Sequence, residues 1–301
     1  MASGFTYKAF GLNIKSEIEL PELITSTFQK ADVEIVFGKV PHQLQEASLK
    51  AARFEINATE FLLSVDDVAR YYVCNGNKIT IEPFSGSDNK SIGIFLLGSC
   101  MGAVFHQRLI VPLHASAVEI NNQAILVSGK SGIGKSTIAF SLLQKGFPLI
   151  ADDICAISRE GLDVYAGFPQ MKQWPVTLEK FEINADDYEK IRPNLEKRAF
   201  PAKSFTQKEK IPIAAIFFVT SHNKDDFTID EIQGIKKFNF IKENIYRNNF
   251  SQGEQSALAV FQKIGQLASN IPLYHIIRPN TESDPVKISD LIIKKLQQQQ
   301  S

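Results

Sequence analysis

Over the first 90 or so residues apolar positions come in short runs, rich in aromatic and β-branched side chains, at 5–14, 33–37, 54–56, 61–65, 70–74 and 78–82. Runs of this kind, separated by turn signals such as Asn75-Gly76-Asn77, predict a small, mainly-β segment over residues 1–90. The texture then changes. Residues 92–105 are almost continuously apolar, which predicts a buried helix ending before His106-Gln107-Arg108; at about 14 residues the run is shorter than the ~20 a membrane span needs. Strands are predicted at 111–113, 117–120, from 124 onward, and at 149–151, 154–158, 162–165 and 213–220, with Asn121-Asn122 as a hairpin turn. Helices are predicted at 137–144, 175–181, 235–246, 254–270 and 288–297, with Gln297 to Gln300 as a disordered tail. The chain therefore divides into a small β unit, 1–90, and an α/β unit, 91–301.

One junction in the α/β unit carries chemistry. Gly129-Lys130-Ser131-Gly132-Ile133-Gly134-Lys135-Ser136 is a complete G-x-x-x-x-G-K-[ST] phosphate loop, and a predicted strand precedes it and a predicted helix follows it, as the motif requires. Glycines let the backbone wrap around phosphate oxygens while the helix N-terminus adds its partial positive charge. The expected nucleotide-binding set is Gly129, Ser131, Gly132, Ile133, Gly134, Lys135, Ser136 and Thr137. Lys135 would reach the β- and γ-phosphates, and Ser136 would offer its hydroxyl to Mg²⁺. Sixteen and seventeen residues beyond Ser136, at the C-terminal edge of a predicted strand, stand Asp152 and Asp153. Ligands sit at that edge of open α/β sheets. Neighbours on an extended strand point to opposite faces, so unequal roles are expected for the two.

Composition excludes a few classes. Lys+Arg and Asp+Glu are both 33, a formal net charge of zero, which argues against nucleic acid as a partner. Cys74, Cys100 and Cys155 lack metal-site spacing and read as buried free thiols of a reducing compartment. No export-type segment opens the sequence, so a cytoplasmic location without membrane association is expected.

His114, the phosphate loop, and Lys145-Gly146-Phe147-Pro148-Leu149-Ile150-Ala151-Asp152-Asp153 together resemble the catalytic core of the HPr kinase/phosphorylase family, at the same spacings, over residues 113 to about 157. The nearer likeness is to a subgroup of HPr-kinase-like proteins, some encoded with lasso-peptide or other ribosomal-peptide biosynthesis genes. The resemblance implies a P-loop kinase fold of the HPr kinase and phosphoenolpyruvate carboxykinase type. It implies Asp153 as general base, Asp152 assisting or binding metal, and His114 beside the phosphate. Gly167-Phe168-Pro169 and Trp174-Pro175 resemble a stretch that shapes the acceptor side, and Lys197-Arg198 is a cationic pair suited to transferring phosphate. One departure stands out. Residues 165–172 hold no acidic residue, where the bifunctional enzymes carry a glutamate metal ligand, so kinase rather than phosphorylase activity is expected.

The first expectation is an ATP- and Mg²⁺-dependent kinase acting on a hydroxyl, serine foremost, of a peptide, small protein or small molecule; a homo-oligomer is left open. The alternatives are an ATP-binding regulatory protein and a partner-coupled NTPase. Asn223-Lys224-x-Asp226 matches a guanine-specificity pattern literally, yet an Asp-Asp pair stands where such enzymes carry Asp-x-x-Gly.

Overall fold

A computed structural model describes residues 4–193, 195–281 and 284–299. Residues 5–83 form one nine-stranded sheet. Phe5–Ala9 and Leu12–Ser16 are antiparallel partners across a turn in which Phe10 and Gly11 both take positive φ (56° and 70°), so the single run predicted over 5–14 is a hairpin. Glu60–Val65, Ala69–Cys74 and Lys78–Pro83 continue as an antiparallel meander, with burial alternating along Ala69–Cys74 and over residues 78–82. Alternation puts one face into the core and leaves the other wet.

The apolar stretch is helical: Asn89–Phe95 is α, Leu96–Cys100 widens into a π turn, and Met101–Gln107 returns to α. Its side chains join the buried cluster of the first sheet, where Phe105 packs edge-on against Phe10 at 5.1 Å. The glycines inside it have a use. A Cβ at Gly102 would stand 3.0 Å from the Tyr246 ring, and one at Gly98 would stand 3.5 Å from the Tyr246 hydroxyl. Small residues here let a ring from the second half lie against the helix.

The second sheet holds the phosphate loop. Ala115–Ile120 and Gln123–Ser128 pair antiparallel through the Asn121-Asn122 turn, whose residues have φ of 50° and 64° as a tight hairpin needs. Gln123–Ser128, Lys210–His222 and Leu273–Pro279 run parallel at the centre, buried and rich in Ile, Val and Phe. Cys155–Ile157 and Asp163–Tyr165 extend the sheet on one side, Leu149–Ala151 on the other. A small three-stranded sheet, Gln170–Gln173, Leu195–Pro201 and Lys190–Arg192, lies beside it. Cys100 and Cys155 are buried free thiols, and Cys74 is half-buried.

The loop helix, Lys135–Gln144, is anchored on two sides. Ser141 and Ser289 share a buried hydrogen bond at 2.9 Å that ties it to the last helix, Pro285–Gln299. Phe140 meets Phe200 of the small sheet at 4.9 Å and Phe181 at 5.2 Å, both edge-on. The last helix carries the glutamine run through Gln299 in helical form, contrary to the expected disordered tail; Gln300 lies outside the described residues. About four turns of amphipathic helix, with Ile288 and Ile292 buried, hold it in helical form. Among the described residues no helix is long and apolar enough to cross a membrane.

Phe140 is fully buried between helix and sheet. Phe140→Ala should cost about 3–5 kcal/mol and loosen the loop helix, read as a fall in urea midpoint. A cost under about 1 kcal/mol would mean that this face is not part of the core.

Candidate active site

The strand Gln123–Ser128 delivers the chain into the loop, and the geometry there demands glycine. Gly129 has φ of 144°, and a Cβ on it would come within 2.5 Å of the Val219 carbonyl of the neighbouring parallel strand. Gly132 and Gly134 take φ of 83° and 108°, so the backbone turns sharply before the helix starts at Lys135. Lys135 is buried. Its ammonium donates to the carbonyls of Gly129 at 2.9 Å and Lys130 at 3.1 Å, closing the loop on itself. Burial pulls its pKa down to about 8, opposed by the charges of Asp153 and Asp152. Ser136 has its backbone carbonyl held by Gln173 Nε2 at 3.0 Å, and Thr137 meets Thr177 hydroxyl to hydroxyl at 3.3 Å. Ile133 is fixed by Arg278, whose Nε and Nη2 both donate to its carbonyl at 3.3 Å; Ser131 is exposed at the loop tip.

The two aspartates do not alternate along an extended strand. Leu149–Ala151 ends before them, and Asp153 takes φ of 75°, a left-handed conformation that reorients its side chain. The strand's pairing with Ala115–Ile120 shifts register between Ala117 and Val118, so extended geometry is already giving way there. Their environments differ accordingly. Asp152 is buried, with Oδ1 accepting from the Ser116 hydroxyl at 2.6 Å and Oδ2 from the Lys172 backbone N–H at 3.1 Å. Asp153 is half-buried, with Oδ2 3.1 Å from Lys172 Nζ and Oδ1 3.4 Å from His114 Nδ1.

His114 sits between Val111–Leu113 and Ala115–Ile120, its ring 5.8 Å from that of Tyr246. Its Nδ1 lies 2.9 Å from the Asp153 carbonyl, an atom that can only accept, so Nδ1 carries a hydrogen and Nε2 of the neutral ring keeps its lone pair. Burial and the nearby Lys135 charge lower its pKa against the pull of Asp153, which keeps the ring neutral at pH 7. Burial alone would raise the Asp153 carboxyl, but the Lys172 ammonium, followed by His114, which is protonated in the acid range where this carboxyl titrates, and by Lys197, outweighs it and holds the group at about 2. Lys172 is the reciprocal case: burial would lower it, and Asp153 raises it.

Lys197 and Arg198 part company as strand neighbours do. Lys197 stands 5.3 Å over the ring of Trp174 and bears electrostatically on Lys135 and Asp153, whereas Arg198 pairs with Asp186 at 3.2 Å. Trp174 itself is 43% exposed, so much of its ring faces solvent. Five further residues complete the arrangement: Ser116, Lys172, Gln173, Tyr246 and Arg247. Arg247, at φ of 51°, lines a cavity of about 250 Å³ with His114, Gly129, Lys130, Ser131 and Tyr246. A lysine in an otherwise uncharged four-residue strand was the one available signal for Lys172; Tyr246 and Arg247 follow the end of Ile235–Glu243 with none.

Among the described residues no group of three or more His, Cys, Asp or Glu side chains is gathered to hold a metal. Mg²⁺ at a nucleotide site needs fewer, since it keeps waters and shares phosphate oxygens, and the Ser136 hydroxyl and Asp152 carboxylate are each oxygen donors of the type it takes.

Residues 109–179, which contain His114, the loop, both aspartates and Lys172, match the family described as HPr Serine kinase C-terminal domain. The HPr kinase/phosphorylase of Pelodictyon phaeoclathratiforme is 46% identical over 48 residues, 16% of this chain and 14% of that protein. That of Alkaliphilus metalliredigens is 42% identical over 57 residues, 19% of this chain and 18% of that protein. The chain thus matches less than a fifth of the length of these relatives. A solved structure titled Hpr(Ser) kinase/phosphatase from Coxiella burnetii aligns over 63% of this chain and 92% of that one, at 12% identity and a TM-score of 0.33. Around its phosphate loop, in a mixed α/β core consistent with the P-loop kinase fold, this chain is HPr-kinase-like.

Proposed function

We propose that the protein is an ATP-dependent kinase that transfers the γ-phosphoryl group to a hydroxyl, with residues 91–301 carrying the chemistry and the mainly-β residues 1–90 contributing to the acceptor side. The observation that carries this reading is the convergence of His114, Asp153 and Lys172 beside Lys135 of the phosphate loop. Phosphoryl transfer asks a protein chiefly to position and to neutralise charge, because its transition state is loose and the attacking hydroxyl gives up its proton late. A carboxylate as weakly basic as Asp153 can serve such a reaction by orienting the hydroxyl and taking the proton as the new bond forms. Lys135, freed from the Gly129 and Lys130 carbonyls, reaches the γ-phosphate, and Arg247 at the cavity rim faces the same charge. His114 orients Asp153 through its carbonyl. Ser136 and Asp152 would hold Mg²⁺, which supplies neutralisation of the β- and γ-phosphate oxygens when bound.

Lys172 speaks for transfer in one direction. It places a fixed cation on Asp153 in the stretch where a bifunctional enzyme would carry an acidic metal ligand, which supports kinase without phosphorylase activity. The same pair favours a second reading, an ATP-binding regulatory protein with little transfer, because a clamped carboxylate is a poor base.

Two experiments separate these. With labelled ATP and a panel of serine peptides, free serine and HPr, Lys135→Ala should abolish nucleotide binding and transfer together. Asp153→Asn should cut transfer by about 10²–10⁴ while ATP affinity stays within about threefold of wild type. ATP binding by the wild type with no transfer to any hydroxyl would decide for the regulatory reading.

The ion pair also predicts a pH dependence. Asp153 is depressed to about 2 from an ordinary value near 3.8, so its contribution, about 2 kcal/mol, is present above roughly pH 4 and lost as pH falls toward 2. Lys172→Met removes the main partner and lets the carboxyl rise. In urea titrations the variant should be weaker than wild type by about 2 kcal/mol at pH 7, with the gap closing toward pH 2–3; an equal gap at both pH values would show that the pair does not set the carboxyl's ionisation.

A further inference from the structure

A second cavity, of about 340 Å³, lies between the two halves of the chain, with Lys172 in its wall. Pro21 and Glu22 come from the first half, Lys90, Ile94 and Leu97 from the apolar helix, and Phe168, Lys172 and residues 187–191 from beside the small sheet. Its size is that of a small-molecule site, in the range of about 300–1,000 Å³. Most of its charged groups already have partners: Lys172 has Asp153, Lys90 has Glu189, Lys190 has Glu196 at 2.5 Å, and Asp187 accepts from the Asn184 side-chain amide at 3.2 Å. Glu22 is the exception. Its Oε2 is buried without a hydrogen-bond partner and no cation pairs with the carboxylate among the described residues. A carboxylate oxygen withdrawn from water and left unpaired costs free energy unless a ligand supplies the missing donor.

Resting on the kinase reading above, we infer that this cavity takes the phosphate acceptor and that the acceptor is a small amino alcohol, its ammonium group on Glu22 and its hydroxyl at Lys172 and Asp153. An ammonium answers both deficits at Glu22, a donor and a positive charge. Apolar Ile94, Leu97 and Phe168 enclose the carbon skeleton and exclude water from the reacting end. Lys172 borders the cavity and its Nζ lies 3.1 Å from Asp153 Oδ2, so the carboxylate stands one side chain behind that wall, and a hydroxyl that displaced the ammonium would meet the group that takes its proton. In the reaction the acceptor oxygen bonds to the γ-phosphorus, the bond from that phosphorus to the β–γ bridging oxygen breaks, ADP leaves with the electron pair, and the hydroxyl proton passes to Asp153. The volume admits a compound of amino-acid size and leaves the surface of a folded protein outside.

The test compares L-serinamide, which carries the ammonium and the hydroxyl, with N-acetyl-L-serinamide and an N-acetylated serine peptide, using labelled ATP and the full chain. Transfer to L-serinamide should exceed that to its acetylated counterpart by about 10-fold or more in kcat/KM. Glu22→Gln should raise KM for L-serinamide by about 10-fold, leaving kcat and ATP affinity near wild type. Equal use of the two amides, transfer to the blocked peptide alone, or ATP binding without transfer to L-serinamide overturns the inference, and the first two of these leave the kinase reading intact. Failure of the wild type to bind ATP sinks the kinase reading itself. The comparison of probes on the wild type holds even if the Glu22 variant unfolds.

Discussion

Two adjacent carboxylates in a partly buried space repel each other unless cations are built in beside them, and that requirement organises the site. Asp152 and Asp153 face Lys135 from the phosphate loop and Lys172 from the small sheet, and Lys197 on another strand of that sheet adds a third cation to the same field. Neutral His114 adds a hydrogen bond without adding charge. Each cation comes from a different element, so the balance exists only when loop helix, small sheet and central sheet are docked together. Phe140 against Phe200, and Gln173 against the Ser136 carbonyl, are what dock the first two. The apolar packing and the electrostatics of the site are therefore one constraint seen from two sides.

The backbone at Asp153 shows how the two carboxylates come to differ. Had the strand run on, both would lie on opposite faces of a sheet, one of them among apolar side chains. Ending Leu149–Ala151 early and turning Asp153 through a positive φ brings it to Lys172 and His114 while Asp152 stays fixed by Ser116 and the Lys172 N–H. A non-glycine residue in that conformation carries strain of about 1 kcal/mol or more, which the ion pair to Lys172 offsets.

Where local pattern decides structure, the sequence was legible. The hairpin at Asn121-Asn122, the loop with its glycines, the helix predicted over 137–144 and the buried run at 149–151 all follow from period, turn chemistry or motif. What it did not disclose depends on contacts between distant elements. Lys172 belongs to a four-residue strand whose partners lie 25 or more residues away in Leu195–Pro201, and nothing near it in the chain signals that it will meet Asp153. Tyr246 and Arg247 follow a helix end, and their seat is made by Gly98 and Gly102 of another region. Alternation along a strand is a sound rule for Asp152 and Asp153 only if the strand continues, and that is decided by pairing. The same limit applies at Glu22, a turn residue in sequence that becomes distinctive only once a cavity closes around it.

The way Lys135 is held has its own consequence. With its ammonium bound to the Gly129 and Lys130 carbonyls, the loop is complete without a guest. Recognition is then a substitution: an incoming oxygen must outbid two carbonyls for the same three N–H donors. A single weak anion gains little from that trade, whereas a polyphosphate, engaging backbone amides and ammonium at once, gains on every contact. On the proposed kinase reading, this resting state of the loop would favour a nucleotide's polyphosphate tail over ordinary cellular anions.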